Sequence, residues 1–451
     1  MPVLRWLTLV LLLLLLVPAG VSAQSIVNPK QTYTYEQMER DLAALEARYP
    51  DIVQVQNIGT TAYGRNIYAV GLGKGLSTSY INGSNHAREW ITTNLTMEMI
   101  DVYAEDYASS GGLNMKAILD HHTMWFVPMM NPDGVTLQQR GLSAFPSSAH
   151  ASLIRMNGGS RDFTRWKANA RGVDLNRQFD AGWYQIRNNP GSPAHENYPG
   201  TAPHTEKEVQ AVVAFTEKID PQMAVSYHSS GEILFWNYNQ RGYQLSRDRQ
   251  HASWISNATG YRLMGGHSSY SGGGYTDWFI DRFKRPAFTP EVSPYVGARH
   301  VPVSYFDRIW NQNRQVGKYI AQRSHDMYRN KLRASMRDGT LIINGTTYTA
   351  DPGAVILDGR TYVPVRGVLE QLGASVGWDQ ESRTALIRSG STEIALPLYQ
   401  REAIVNGTAR ALDAPVQTLN GRTMVPLRFV SETIGARVTW EQATRTVRVI
   451  Q

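Results

Sequence analysis

The residues best suited to chemistry in this 451-residue chain are His86, Glu89 and His228, set in the runs His86-Ala87-Arg88-Glu89-Trp90 and Tyr227-His228-Ser229-Ser230-Gly231. Two imidazoles and one carboxylate form a ligand set for catalytic zinc. Three protein ligands hold the ion and leave a fourth position for water, whose pKa the metal lowers to about 7. Alone, a His-x-x-Glu pair carries little weight, because a chain with 11 His meets one by chance as a helix-surface pair. Its weight comes from other blocks further along the chain.

Those blocks are Gly64-Arg65-Asn66-Ile67, Asn131-Pro132-Asp133-Gly134, the run from Arg171 through Asp174, Asn176 and Arg177 to Asp180, then Tyr275-Thr276-Asp277-Trp278 and Phe288-Thr289-Pro290-Glu291-Val292. In this order they resemble the zinc carboxypeptidases of the funnelin (carboxypeptidase A-like, M14) family, from about residue 30 to 325. Segments 86–95, 127–137 and 166–179 are most similar to a bacterial branch that includes enzymes acting on γ-D-glutamyl-diaminopimelate bonds of cell-wall peptides.

The resemblance implies one Zn²⁺ per chain on His86, Glu89 and His228, with Asp174 as the carboxylate that orients a ligand imidazole. It implies that Glu291 is the general base and acid, which takes the proton of the attacking water and returns it to the leaving amine. Asn176 and Arg177 resemble the pair that docks the free C-terminal carboxylate of a substrate, for which a planar guanidinium is well shaped. Arg88 is expected to contact substrate further from the cut, or else to serve as a surface ion-pair partner. The animal enzymes place a carbonyl-polarising Arg just after a Trp. Here Lys167 follows Trp166, and Lys167, Arg165 and Arg171 are the alternatives for the oxyanion charge. The Tyr that closes over substrate corresponds to Tyr270, one residue nearer Asp277 than usual, with Tyr275 as a substitute. Thr276 stands at the floor of the specificity pocket and is neutral, so it can bond a polar head without demanding charge. Gly272, Gly273 and Gly274 leave room for a larger or branched group, such as the diaminopimelate side chain.

The elements that must position these residues follow from periodicity. Residues 36–48 have an amphipathic helical pattern, and 92–107 and 206–218 are helix-like. Residues 52–58, 68–72, 80–82, 123–130 and 223–227 read as strands. Strands alternating with helices predict an α/β fold: a mixed, mostly parallel sheet flanked by helices, with sites where strands end. His86 and His228 both follow strand candidates.

Composition sets the outer limits. Residues 1–23, with Arg5, an apolar run and the ending Val21-Ser22-Ala23, read as a signal peptide cleaved before Gln24. The remainder contains no long apolar run, so no membrane span is expected after cleavage. The chain has no Cys, which excludes disulfides, thiol ligands and Cys nucleophiles, and which suits a bacterial exported protein. The net charge of +7 is spread along the chain, with no basic block of the kind that reads nucleic acid. Little sequence separates residue 24 from the start of the resemblance, which predicts export without an inhibitory pro-segment.

Beyond residue 331 the character changes. Asp358-Gly359-Arg360-Thr361-Tyr362-Val363-Pro364-Val365-Arg366 recurs as Asn420-Gly421-Arg422-Thr423-Met424-Val425-Pro426-Leu427-Arg428, and Trp378 recurs as Trp440, at a constant offset of 62. Two copies, about 335–396 and 397–451, make a small α+β repeat domain after a catalytic domain at 24–330. Each copy reads as strand, turn, strand, short helix, strand, strand. The pattern resembles the copper amine oxidase N-terminal-like (stalk) repeats of exported proteins. All 11 His lie at or before His325, so the repeats lack the ligands copper wants and are expected to be a spacer or attachment module.

The expectation is a monomeric, secreted, cell-wall-associated zinc metallocarboxypeptidase. It would act on peptides or peptidoglycan stem peptides, with the repeats touching the wall. The alternatives are an N-acyl amidohydrolase on the same fold and a catalytically silent wall-binding protein.

Overall fold

The computed structural model describes residues 25–265, 272–349, 353–419 and 421–451. The strands of the first sheet are β1 (Val53–Thr60), β2 (Asn66–Gly73), β3 (Ser77–Asn82), β4 (His122–Val127), β5 (Ala224–Ser226), β6 (His228–Ser229), β7 (Ile233–Phe235), β8 (Arg262–Leu263) and β9 (Ala287–Val292). Their order is β1-β2-β4-β3-β5-β9-β7-β8, with β6 paired to β9. The pairs β4/β3, β3/β5 and β5/β9 are parallel, while β1 and β2 add antiparallel at one edge and β7 pairs antiparallel with β9. This is the expected mixed sheet.

Local chemistry explains the elements. Helix Tyr35–Arg48 starts where the Thr34 side chain accepts from the Gln37 amide, and it buries Met38, Leu42 and Leu45 along one face. Helix Ile91–Ser109 is buried nearly all round, from Ile91 and Leu95 to Met99 and Tyr103, and packs in the largest core cluster. The expected strand 123–130 is shorter than its apolar run: β4 stops at Val127, because Pro128 has no N–H for the ladder. The polypeptide then turns into helix Pro132–Arg140, capped by Asn131.

Helix Val316–Ser335 crosses the expected joint at 330–335, and strand Arg337–Ile343 begins two residues after it. Leu332 near its end packs with Val355, Leu357 and Tyr362. His121 Nδ1 lies 2.7 Å from Tyr399 Oη, and Arg383 donates to the Asp120 carbonyl at 2.6 Å, so the two parts are also bonded side by side. In the second part, the first strand pairs in parallel with the last one, Thr446–Ile450. A five-stranded sheet likewise joins Ser375–Asp379 and Thr384–Ser389 to Glu402–Val405 and Thr408–Ala411 through Thr392–Pro397. Both sheets draw on both copies, and one core cluster spans them. Among the described residues no helix is long and apolar enough to cross a membrane.

Gly83 links this frame to the site, because it directly follows β3 and precedes His86 by three residues. A Cβ there would lie 2.8 Å from the Thr92 carbonyl oxygen and 3.0 Å from that of Pro128, both rigid backbone. Gly83→Ala should therefore cost about 1–3 kcal/mol by overpacking and displace the His86 turn. Thermal melts with and without zinc should show a lower Tm and a smaller zinc-induced rise. An unchanged melt in both states would contradict this account of the turn.

Candidate active site

β3, β5 and β9 lie side by side and parallel, so their carboxyl ends open on one edge of the sheet. From β3 the chain runs through Ser84 and Asn85 into a 3-10 turn, Ala87–Glu89, with His86 as its extended N-cap. The i, i+3 spacing puts His86 and Glu89 on one side of that turn. From β5 it passes the fully buried Tyr227 to His228, which pairs in parallel register with Glu291 of β9.

His86, Glu89 and His228 are all buried, and their ligand atoms lie within 4.8 Å of one another. His86 Nδ1 is 2.8 Å from Glu89 Oε1, His228 Nδ1 is 2.9 Å from Glu89 Oε2, and the two Nδ1 atoms are 3.1 Å apart. Burial alone would raise the Glu89 pKa, yet the facing imidazoles hold it well below the usual carboxylate range. The outward nitrogens are held too. His86 Nε2 lies 3.1 Å from Asp174 Oδ1, and His228 Nε2 lies 3.3 Å from the Asn85 amide and 3.4 Å from Ser226 Oγ. Asn85 Oδ1 is buried without a hydrogen-bond partner. Turned over, an orientation of equal shape, the amide aims this acceptor at His228 Nε2–H and leaves the Nδ1 lone pair facing the cluster. Two imidazoles, each held by a partner behind it, and a carboxylate fit one zinc ion.

Asp174, behind His86, is fully buried. Its Oδ1 also accepts from the Asn176 amide, and its Oδ2 accepts from the Asn197 amide and lies 3.4 Å from Lys167 Nζ. Burial opposes its charge, but Lys167 and His86 keep its pKa well below normal. Lys167 thus has its ammonium on Asp174. The other candidates for the oxyanion charge are engaged elsewhere: Arg165 with His195 at 3.2 Å, and Arg171 with Glu206 at 3.6 Å.

Glu291 is partly buried. Burial, with the negative charge of Glu89 beside it, pushes its pKa up to about 7, and His228, Lys167 and Arg88 pull the other way. Arg88 donates to the Arg165 carbonyl at 2.9 Å and to Glu196 Oε2 at 3.1 Å. Asn176 Oδ1 accepts from the Tyr275 amide, while Arg177 bonds the Asn176 carbonyl at 3.0 Å and has no ion pair among the described residues. Thr276 is buried, its hydroxyl 2.7 Å from that of Thr289. Tyr270 lies outside the described residues. Its substitute, Tyr275, is fully buried against Tyr80 and Phe179.

Sequence reasoning missed Asn85, Ser226 and Glu196. The first two are adjacent to His86 and two residues before His228, so proximity to a ligand was the only signal. Glu196 comes from a long loop whose path no periodicity announces.

The chain matches two family models: zinc carboxypeptidase over residues 38–316 and copper amine oxidase N-terminal domain over residues 342–449. It is similar to gamma-D-glutamyl-L-diamino acid endopeptidase 1 of Lysinibacillus sphaericus, with 33% identity over 292 residues, covering 64% of this chain and 72% of the relative. Carboxypeptidase B of Bos taurus is 26% identical over 277 residues, 57% of this chain and 62% of the relative. In fold the chain is similar to bovine thrombin-activatable fibrinolysis inhibitor, solved in complex with tick carboxypeptidase inhibitor. That likeness has a TM-score of 0.54 and 22% identity, and covers 66% of this chain and 99% of the other. With the first model spanning more than half of the sequence, the chain belongs to the zinc carboxypeptidase family of zinc-dependent peptide hydrolases, which carry one zinc ion per chain.

Proposed function

We propose that this chain is an exported zinc peptidase that cleaves the γ-D-glutamyl-diamino acid bond of cell-wall stem peptides, releasing a C-terminal residue or fragment. The observation that carries the reading is the buried His86, Glu89 and His228 cluster with Glu291 in register beside His228. The similarity to an endopeptidase named for gamma-D-glutamyl-L-diamino acid bonds supports the substrate class.

His86, Glu89 and His228 would hold the ion, which would supply Lewis acidity: a lowered pKa, about 7, for a water and polarisation of the substrate carbonyl. Glu291 accepts the proton of the attacking water and delivers it to the departing amine. Its burial beside Glu89 raises its pKa in the metal-free chain and so opposes the lowering that a bound cation would bring. Asn176 and Arg177 bind the terminal carboxylate; Arg177 has no ion pair among the described residues, and its guanidinium keeps donors beyond the one on the Asn176 carbonyl. Asp174 keeps His86 oriented and Lys167 neutralises Asp174. Arg88, tethered by Glu196, lines the approach. Thr276 gives the side-chain pocket a neutral, hydrogen-bonding floor. Export rests on the signal-like residues 1–23, which lie outside the described residues, and the repeats serve wall attachment.

Purified protein should contain about one zinc per chain by elemental analysis, and His86→Ala or His228→Ala should abolish retention, because two ligands hold the ion poorly. Full hydrolysis by a verified zinc-free sample would refute the assignment.

Glu291→Gln should keep its zinc and lose about 10²–10⁴-fold in kcat. The base works only when ionised, so activity should fall as pH drops through its pKa. A bound cation lowers that pKa from the metal-free value of about 7, so the acid limb of kcat/KM should lie at or below pH 7 and vanish in the Gln variant. A glutamine variant with the wild-type rate and pH profile would transfer the role elsewhere.

For Arg177→Ala, KM should rise about 10–100-fold on peptides with a free terminal carboxylate, as expected on losing a charged bond. The penalty that C-terminal amidation imposes on the wild type should largely disappear in the variant. If amidation harms both proteins equally, Arg177 does not dock the chain end.

A further inference from the structure

The two copies of the C-terminal repeat are related by a pseudo-twofold axis that can be read from strand register. Strand Arg360–Pro364 pairs antiparallel with its own repeat, Arg422–Pro426: Val363 faces Val425, Tyr362 faces Pro426 and Pro364 faces Met424. Because Val363 and Val425 are equivalents at the 62-residue offset, the axis passes between them. Helices Val365–Gln371 and Leu427–Thr433 follow these strands and pack on the same pair, sharing one core. Whatever one copy builds beside this pair, the other builds again.

Each copy does build something. A cavity of about 260 Å³ is lined by Arg366 and Trp378 of the first copy and by Arg422 of the second. Its counterpart, about 600 Å³, is lined by Arg428 and Trp440 of the second copy and by Arg360 of the first. These are three pairs of equivalents at the same offset, so each cavity needs both copies to be complete. Each indole is held at its edge: Trp378 Nε1 donates to Gln380 Oε1 at 2.8 Å and Trp440 Nε1 to Gln442 Oε1 at 2.7 Å. Trp378 is nevertheless 37% exposed, a large apolar ring left facing solvent.

The charge is unbalanced. No acidic residue lines the smaller cavity, and Arg366 and Arg422 are exposed without an ion pair among the described residues. In the larger cavity Asp413 binds Arg360 at 2.6 Å, while Arg428 has only Glu432 at 3.9 Å, and Arg337 and Arg445 contribute two further guanidiniums. Two guanidinium forks flanking an indole, exposed in the first site and half-buried in the second, suit a pyranose ring that carries an anionic group. The apolar face of the ring covers the indole, and the carboxylate takes the planar donors. Two such sites on one rigid module suit a ligand that repeats, because a second contact within reach raises the effective concentration without any new chemistry.

We propose that the C-terminal module is a bivalent receptor for an acidic polysaccharide, with one anionic sugar unit seated between Arg366, Trp378 and Arg422 and another between Arg428, Trp440 and Arg360. The proposal rests on the attachment role given to the repeats and specifies its ligand and sites; it is independent of the peptidase reading.

Calorimetric titration of the full chain with galacturonate should find two sites per chain. Polygalacturonate should bind at least 10-fold tighter per chain than the monomer. Arg366→Ala and Arg428→Ala should each leave one monomer site and remove the polymer advantage, and the double variant should bind neither. Arg366→Lys and Trp378→Phe, milder changes, should weaken the first site only. All variants should hydrolyse a small soluble peptide like the wild type, which also shows that they are folded. Wild-type binding in the double variant, or neutral dextran, inorganic polyphosphate or single-stranded DNA binding as tightly as polygalacturonate, would overturn the proposal. Retention of wild-type protein on isolated sacculi tests the attachment role separately: retention that survives the double variant would leave attachment standing and remove these sites from it.

Discussion

Two histidine nitrogens 3.1 Å apart and a carboxylate between them, all buried, form the constraint on which this structure turns. Bringing three such groups out of water is unfavourable unless a positive charge joins them, because each loses its hydration. The facing imidazoles keep Glu89 ionised in spite of its burial. A zinc ion placed among the three groups would supply positive charge to all of them at once. The surroundings are arranged accordingly. Asp174 is fixed behind His86 by Lys167 and by two backbone amides, and Asn85 with Ser226 stands behind His228. Each ligand is thus oriented before any ion arrives.

The sheet accounts for the second half of the arrangement. β3 delivers His86 and Glu89, β5 delivers His228, and β9 carries Glu291 beside His228 in parallel register. Residues remote in sequence meet because parallel neighbours end at the same edge. A carboxylate one strand away from the cluster is close enough to feel Glu89, yet it is not itself among the three converging groups. That separation suits a proton carrier working beside a metal rather than on it.

Much of this was legible in the sequence, and the limits are physical. The His-x-x-Glu spacing and the Asp174 run are local patterns, and local geometry preserved them. Helix Tyr35–Arg48 followed from apolar spacing. Strand β4 was over-extended because Met129 and Met130 are as apolar as a strand requires, while Pro128 decides the hydrogen bonding. The support that Asn85, Ser226 and Glu196 give is tertiary, and polar residues of that kind have no period. The 62-residue offset revealed the duplication, but not that the copies exchange strands and share a core. Interleaving depends on pairings such as Arg337–Ile343 with Thr446–Ile450, which link residues at opposite ends of the module.

The central claim is that one zinc ion is bound by His86 Nδ1, His228 Nδ1 and the Glu89 carboxylate. Diffraction from zinc-loaded crystals on both sides of the zinc absorption edge tests it most directly. The account predicts one anomalous peak per chain, about 2.0–2.2 Å from those three groups, with Asp174 and Glu291 outside bonding distance. A peak bonded to the Nε2 of either histidine, to Asp174, or to another part of the chain would contradict it.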